Sequence, residues 1–244
     1  MKTDSLATMS PSDRTIVALD FDRGADAVAL AKKLQGKVGG VKVGLELFLA
    51  EGQPIVRAIG ETGHRIFLDL KLHDIPNTVA GAARVAGSLG VWLLTVHASG
   101  GEAMVRAAVE AATEGAAAAG EAPPKILAVT VLTSLSEGDL AALGIEGGAT
   151  ATALRWAKVA RAAGAAGIVC SPQEAGAMRE ALGPEAMIVT PGVRPAGSDV
   201  GDQARIATPA DAIAAGADHL VIGRPIRAAD DPVAAAEAIT ESLT

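Results

Sequence analysis

The segment Arg65-Ile-Phe-Leu-Asp69-Leu-Lys71-Leu-His73-Asp74 concentrates acids and a lysine within an apolar run. In an extended chain alternate side chains share a face, so Asp69 and Lys71 point together while Leu68 and Leu70 point to the other side. Gly40-Val-Lys42-Val-Gly44 repeats the device: Val41 and Val43 face one way, Lys42 the other, with a glycine on each side to leave room for its stem. Asp20 closes another apolar run, and its neighbour of like direction is the small Ala18. Charges taken out of water are costly unless paired, so acids and lysines gathered at one rim should form an alternating array. A lysine held between carboxylates keeps its proton. That makes it a placed proton donor rather than a Schiff-base nucleophile, which needs a depressed pKa. An ion network that only plugs the fold is the competing reading, and two such charges on one strand weigh against it.

Two turns suit a phosphate. Thr190-Pro191-Gly-Val-Arg194 and Ile222-Gly223-Arg224-Pro each set a glycine, which lets backbone approach a ligand, beside an arginine with bidentate donors. Gln203, in Gly201-Asp-Gln-Ala-Arg205, offers an amide between them. Thr133 offers a hydroxyl to a polar ligand edge, or else caps a helix starting near Ser136. His97 ends an apolar run and reads equally as a hydrogen-bonded support or a catalyst. No His, Asp or Glu cluster has the spacing of a metal site, so no metal is expected. Cys170, the one cysteine, reads as a small buried apolar residue and excludes an internal disulfide.

Eight short apolar or β-branched runs must position these residues: 15–20, 40–44, 65–71, 91–97, 125–132, 167–171, 187–191 and 219–223. Alanine-rich helical stretches alternate with them: 25–34, 54–62, 79–89, 102–119, 149–163, 172–182, 209–215 and 231–243. Strand–helix alternation on this scale predicts an α/β fold, a single (β/α)8 TIM barrel, with the chemistry at the C-terminal ends of the strands. A doubly wound sheet is the rival, but no Gly-rich phosphate turn follows the first strand. The barrel domain is expected over residues 14–244, after a flexible lead-in over 1–13 that lacks an apolar signal core. Charges interrupt every long apolar stretch, so no membrane span and a cytoplasmic location are expected. The net charge of −7, with 28 acidic and 21 basic residues and only three Phe and two Trp, argues against a nucleic-acid partner. A small-molecule ligand is the better expectation.

Phe67-Leu-Asp69-Leu-Lys71-Leu-His-Asp74-Ile75-Pro76-Asn77-Thr78 resembles the signature of the orotidine 5′-phosphate decarboxylase family. Ala18-Leu-Asp20, Val41-Lys42-Val-Gly44, Thr95-Val-His97-Ala-Ser-Gly-Gly101, Val129-Thr-Val-Leu-Thr133-Ser, the two Gly/Arg turns and Gly201-Asp-Gln203 follow in the family's order. The resemblance implies decarboxylation of orotidine 5′-monophosphate to uridine 5′-monophosphate, the last step of de novo pyrimidine synthesis, with no metal and no organic cofactor. It implies a homodimer with its site at the interface. The implied catalytic residues are Lys42, Asp69, Lys71 and, from the partner subunit, Asp74, with Lys71 protonating C6 and Asp69 stressing the substrate carboxylate. The implied binding residues are Asp20 and the partner's Thr78 at the ribose, Thr133 at the pyrimidine, and Pro191, Arg194, Gln203, Gly223 and Arg224 around the phosphate. Residues 192–201 are the implied lid. Magnesium-dependent sugar-phosphate decarboxylases and aldolases of the same superfamily share Asp-x-Lys-x-x-Asp but typically continue Ala-Gly, where this chain has Ile75-Pro76.

Overall fold

The computed structural model describes residues 9–194 and 207–243. Eight parallel strands close into a barrel in sequence order, the first pairing with the last. They are β1 (Thr15–Ala18), β2 (Gly40–Gly44), β3 (Ile66–Leu72), β4 (Leu93–His97), β5 (Lys125–Val129), β6 (Gly167–Val169), β7 (Met187–Pro191) and β8 (His219–Ile222). The principal helices are α1 (Gly24–Lys33), α2 (Leu45–Glu51), α3 (Gln53–Gly60), α4 (Pro76–Gly87), α5 (Gly101–Ala119), α6 (Glu137–Ala142), α7 (Gly148–Ala162), α8 (Ala175–Leu182), α9 (Pro209–Ala214), α10 (Arg224–Arg227) and α11 (Pro232–Glu241). The (β/α)8 expectation holds. The helix expected to start near Ser136 is α6, whereas the sequence pattern missed α2 and α10, which span two turns or fewer and give little periodicity to read. Several strands stop short of their apolar runs: Asp20, Leu132 and Ser171 lie beyond the ladders, where the chain turns outward at the rim.

Strand alternation sorts two cores. Ile16, Ala18, Phe67, Leu93, Leu127, Met187, Val189 and Val221 fill the barrel interior. Val17, Val41, Val43, Leu68, Leu94, Val96, Ile168, Ile188 and Leu220 face the helices. Small residues let that helical layer close up. A Cβ on Gly87 would lie 2.2 Å from the Ala112 carbonyl oxygen, and one on Gly115 would lie 2.0 Å from that of Arg84, so α4 and α5 touch backbone to backbone. The N-terminal end of the barrel is sealed by Arg65, whose guanidinium lies 4.1 Å from the Trp92 ring centroid. Trp92 in turn meets His219 edge-on, and His219 Nδ1 lies 3.1 Å from the Asp13 carbonyl oxygen. Ser12–Arg14 forms one 3-10 turn there; residues 1–8 of the expected lead-in lie outside the described residues. Among the described residues no helix is long and apolar enough to cross a membrane.

One ladder is irregular. Leu68 pairs with Leu94 and Leu72 with Val96, so β3 advances four residues while β4 advances two. Three residues, Asp69 to Lys71, thus stand opposite Thr95 alone, and this two-residue surplus bulges at the C-terminal rim. Lys71 has φ 49°, the one non-glycine with positive φ among the described residues. Such a conformation costs of order 1–3 kcal/mol and persists where its surroundings impose it.

Candidate active site

The bulge and the neighbouring strand ends gather the predicted charges. Lys71 Nζ donates to Asp69 Oδ2 at 2.7 Å, and Lys42 Nζ lies 3.5 Å from the same oxygen. On its other side Lys42 Nζ donates to Asp20 Oδ1 at 3.1 Å. The array therefore runs Asp20, Lys42, Asp69, Lys71, alternating in sign. Asp69 is 7% exposed. Burial pushes its carboxyl up, but the Lys42 and Lys71 ammonium groups, with hydrogen bonds from Lys71 and Thr95, outweigh burial and hold it below the usual range. Both lysines thus face a carboxylate that stays ionised.

Of the two glycines expected to make room for Lys42, one does. A Cβ on Gly44 would come within 2.8 Å of Lys42 Nζ and 3.3 Å of Asp20 Oδ1. Gly40 instead clears the Arg65 carbonyl oxygen, 2.9 Å from where its Cβ would lie, and the Trp92 ring. That glycine serves the lower packing of the barrel, because residues two apart on a tilted strand reach different layers.

The array forms one wall of a cavity of about 300 Å³ at the C-terminal rim. Asp20, Lys42, Asp69, Lys71, Thr133, Pro191, Arg194, Gly223 and Arg224 all line it. Arg194 is buried and donates from Nη1 to the Val193 carbonyl at 3.0 Å. Arg224 is exposed at the start of α10. The alternative role for Thr133 falls to Ser136, which caps α6: its Oγ accepts from Asp139 N at 3.2 Å, and Ser136 N donates back to the Asp139 carboxylate at 2.8 Å. Thr133 is left on the cavity wall.

Two predicted residues stand apart from the cavity in a single chain. Asp74 and Thr78 belong to an exposed run, 73–78, and Asp74 Oδ1 accepts from its own neighbour, Ile75 N, at 2.6 Å. Gln203 and most of the implied lid lie outside the described residues. Several wall residues carried no chemical signal in the sequence: Phe67, Val129, Val131, Val169 and Val221 form an apolar side, and Cys170 lines the cavity as well as being buried. His97 sits beside the array, its ring centroid 5.4 Å from that of His73. Burial, then His73 and Lys71, hold its imidazole below the ordinary histidine range, against an opposing pull from Asp69. His64 Nε2 lies 2.8 Å from the Ala31 carbonyl, a structural contact. Among the described residues no group of three or more His, Cys, Asp or Glu is arranged to hold a metal ion.

The site thus pairs a row of fixed charges with an apolar side and two arginines at the far rim. It suits a small anionic ligand whose reacting carbon faces an ammonium donor. Comparison with known proteins agrees. Residues 13–239 match the model of the orotidine 5′-phosphate decarboxylase / HUMPS family. A protein of Anaeromyxobacter sp. (strain K) named orotidine 5′-phosphate decarboxylase is 55% identical over 235 residues, 96% of this chain and 100% of the relative. One of the same name from Moorella thermoacetica is 54% identical over 244 residues, 100% of this chain and 97% of the relative. The crystal structure of orotidine 5′-phosphate decarboxylase from Lactobacillus acidophilus superposes with a TM-score of 0.82 at 39% identity, covering 94% of this chain and 98% of that one.

Proposed function

This chain belongs to the orotidine 5′-phosphate decarboxylase family, and from that premise we propose that Lys71, set in the Asp20–Lys42–Asp69–Lys71 array, is the proton donor in the conversion of orotidine 5′-monophosphate to uridine 5′-monophosphate and carbon dioxide. The chain is a carbon–carbon lyase, and its reaction serves pyrimidine synthesis. The observation that carries the assignment of roles is the 2.7 Å pairing of Lys71 Nζ with a buried carboxylate on the wall of the cavity.

The C6–carboxylate bond breaks and its electron pair stays on C6. The difficulty is that ring carbon, which has no ready electron sink. Lys71 places a cation where the pair develops and then delivers a proton to C6, regaining one from solvent after product leaves. Asp69 faces the departing carboxylate, so loss of carbon dioxide relieves like-charge repulsion. Lys42, tied to both Asp20 and Asp69, keeps the array from reorganising at the moment of reaction. These residues do this chemistry with no metal and no organic cofactor.

Asp20 and Lys42 bind ribose hydroxyls, Thr133 the pyrimidine edge, and Arg194, Gln203 and Arg224 the phosphate, with Pro191 and Gly223 as backbone wall. The binding energy of the remote phosphate fixes the ring against the array. The enzyme acts as a cytoplasmic homodimer in which Asp74 and Thr78 cross to the partner's site. The exposed run 73–78, with Ile75 67% exposed beside Asp74, supports that reading.

The direct test follows loss of orotidylate absorbance in the ultraviolet with chelator present. Full activity is expected, and loss of it on chelation would favour the magnesium-dependent branch. Lys71→Ala should abolish turnover while uridine 5′-monophosphate still binds; substantial turnover by that variant would remove Lys71 from the role.

A further inference from the structure

Behind the reacting pair lies a buried hydroxyl that the mechanism above does not use. Thr95 is 0% exposed. On β4 it points into the barrel with Leu93 and His97, while Leu94 and Val96 face the helices. It stands where β3 bulges, between the Leu68–Leu94 and Leu72–Val96 pairings. Its hydroxyl accepts from Lys71 N at 2.9 Å. The same hydroxyl donates to Asp69 Oδ1 at 2.9 Å. One oxygen atom therefore clasps both halves of the reacting pair, one by its backbone and the other by its carboxylate.

The geometry points to Thr95 as a positioning residue, whose hydroxyl sets the Asp69 carboxylate and the left-handed Lys71 backbone in their working geometry. The reasoning is a matter of satisfied groups. The bulge takes the Lys71 N–H out of regular ladder pairing, and Thr95 Oγ1 supplies its acceptor. With φ at 49°, Lys71 needs a local restraint, or its backbone relaxes and swings Nζ away from the cavity. The hydroxyl has one proton, and it goes to Asp69 Oδ1. That fixes the carboxylate plane and leaves Oδ2 to face Lys71 Nζ at 2.7 Å and Lys42 Nζ at 3.5 Å. Thr95 itself does not line the cavity, so its effect passes through Asp69 and Lys71.

This role rests on Asp69 and Lys71 being the reacting pair. The test compares Thr95→Val, which keeps the shape and removes the hydroxyl, with Thr95→Ser, which keeps the hydroxyl. Folding is checked by thermal melt, and uridine 5′-monophosphate binding by titration calorimetry. Thr95→Val should lose at least about ten-fold in kcat, with KM and product binding within about three-fold, because misplacement of the donor is felt in the transition state. Thr95→Ser should recover to within about three-fold of wild type. The acid limb of the kcat–pH profile should move to higher pH in Thr95→Val, because Asp69 loses a donor to its charged form while Lys42, Lys71, Asp20 and His97 remain around it. A smaller loss in kcat, a loss confined to KM, an unmoved acid limb, or a serine variant as impaired as valine would overturn the proposal. If Thr95→Val does not fold, Thr95→Ala is read by the same criteria. Failure of both to fold beside a folded, active Thr95→Ser would assign the hydroxyl to stability and overturn the positioning role. Wild type and Lys71→Ala run in the same assay keep the two readings apart. An inactive wild type or an active Lys71→Ala sinks the active-site assignment, whereas normal controls with a normal Thr95→Val sink the Thr95 role alone.

Discussion

A methyl group on Gly44 would lie 2.8 Å from Lys42 Nζ and 3.3 Å from Asp20 Oδ1. The backbone there, at φ −95° and ψ −175°, accepts alanine without strain. Gly44→Ala should therefore leave the melting temperature unchanged or slightly raised, since it trims unfolded-state entropy. It should cost about 100-fold in kcat by pushing the Lys42 ammonium out of line. Activity within two-fold of wild type would show that the array tolerates displacement. Arg224 tests the other end of the cavity. A charge-assisted phosphate contact contributes about 1.5–3 kcal/mol, so Arg224→Ala should lower kcat/KM by about 10- to 100-fold with little change in melting temperature. An unchanged kcat/KM would take Arg224 out of the phosphate site. Residue identity made Asp20, Lys42, Asp69 and Lys71 legible because charges in apolar runs demand partners. It hid Thr95, since one threonine in a strand looks like any other until a bulge is found opposite it.

At the scale of elements, the meeting of α4 and α5 and the bulge in β3 do the positioning. Alanine normally gains about 1 kcal/mol over glycine inside a helix. At Gly115 the added Cβ would fall 2.0 Å from the Arg84 carbonyl oxygen and 2.8 Å from its carbonyl carbon. Backbone cannot step aside as a side chain can, so overpacking of about 1–3 kcal/mol should outweigh the propensity gain. Gly115→Ala should lower the melting temperature by several degrees, and a rise would show that the two helices part easily. The bulge explains why strict alternation in β3 succeeded only in part. It paired Asp69 with Lys71 correctly, yet Lys71 arrives through a left-handed backbone rather than a regular pleat. Period-two reasoning has no means of seeing extra residues in a strand, because the insertion is defined against the neighbouring strand.

For the whole molecule, the exposed 73–78 run, which does not line the cavity of its own chain, makes the proposed sharing of a site between subunits testable by complementation. The Lys71→Ala and Asp74→Ala variants should each be inactive alone. Mixed after confirmed subunit exchange, they should regain up to about a quarter of wild-type activity per total site, because only hybrids assemble one intact site. No recovery would assign Asp74 a role within its own subunit or none. The alternation of apolar runs with alanine-rich stretches was enough to imply the closed barrel, since each run needs burial on both faces and each helix on one. The residue types at the strand ends were enough to imply a charged mouth. Register was beyond them: which oxygen of Asp69 meets which lysine, which of two glycines makes room for Lys42, and that Thr95 bonds to both Asp69 and Lys71. Those depend on ångström-scale offsets between strands far apart in the chain, and only closure of the barrel sets those offsets.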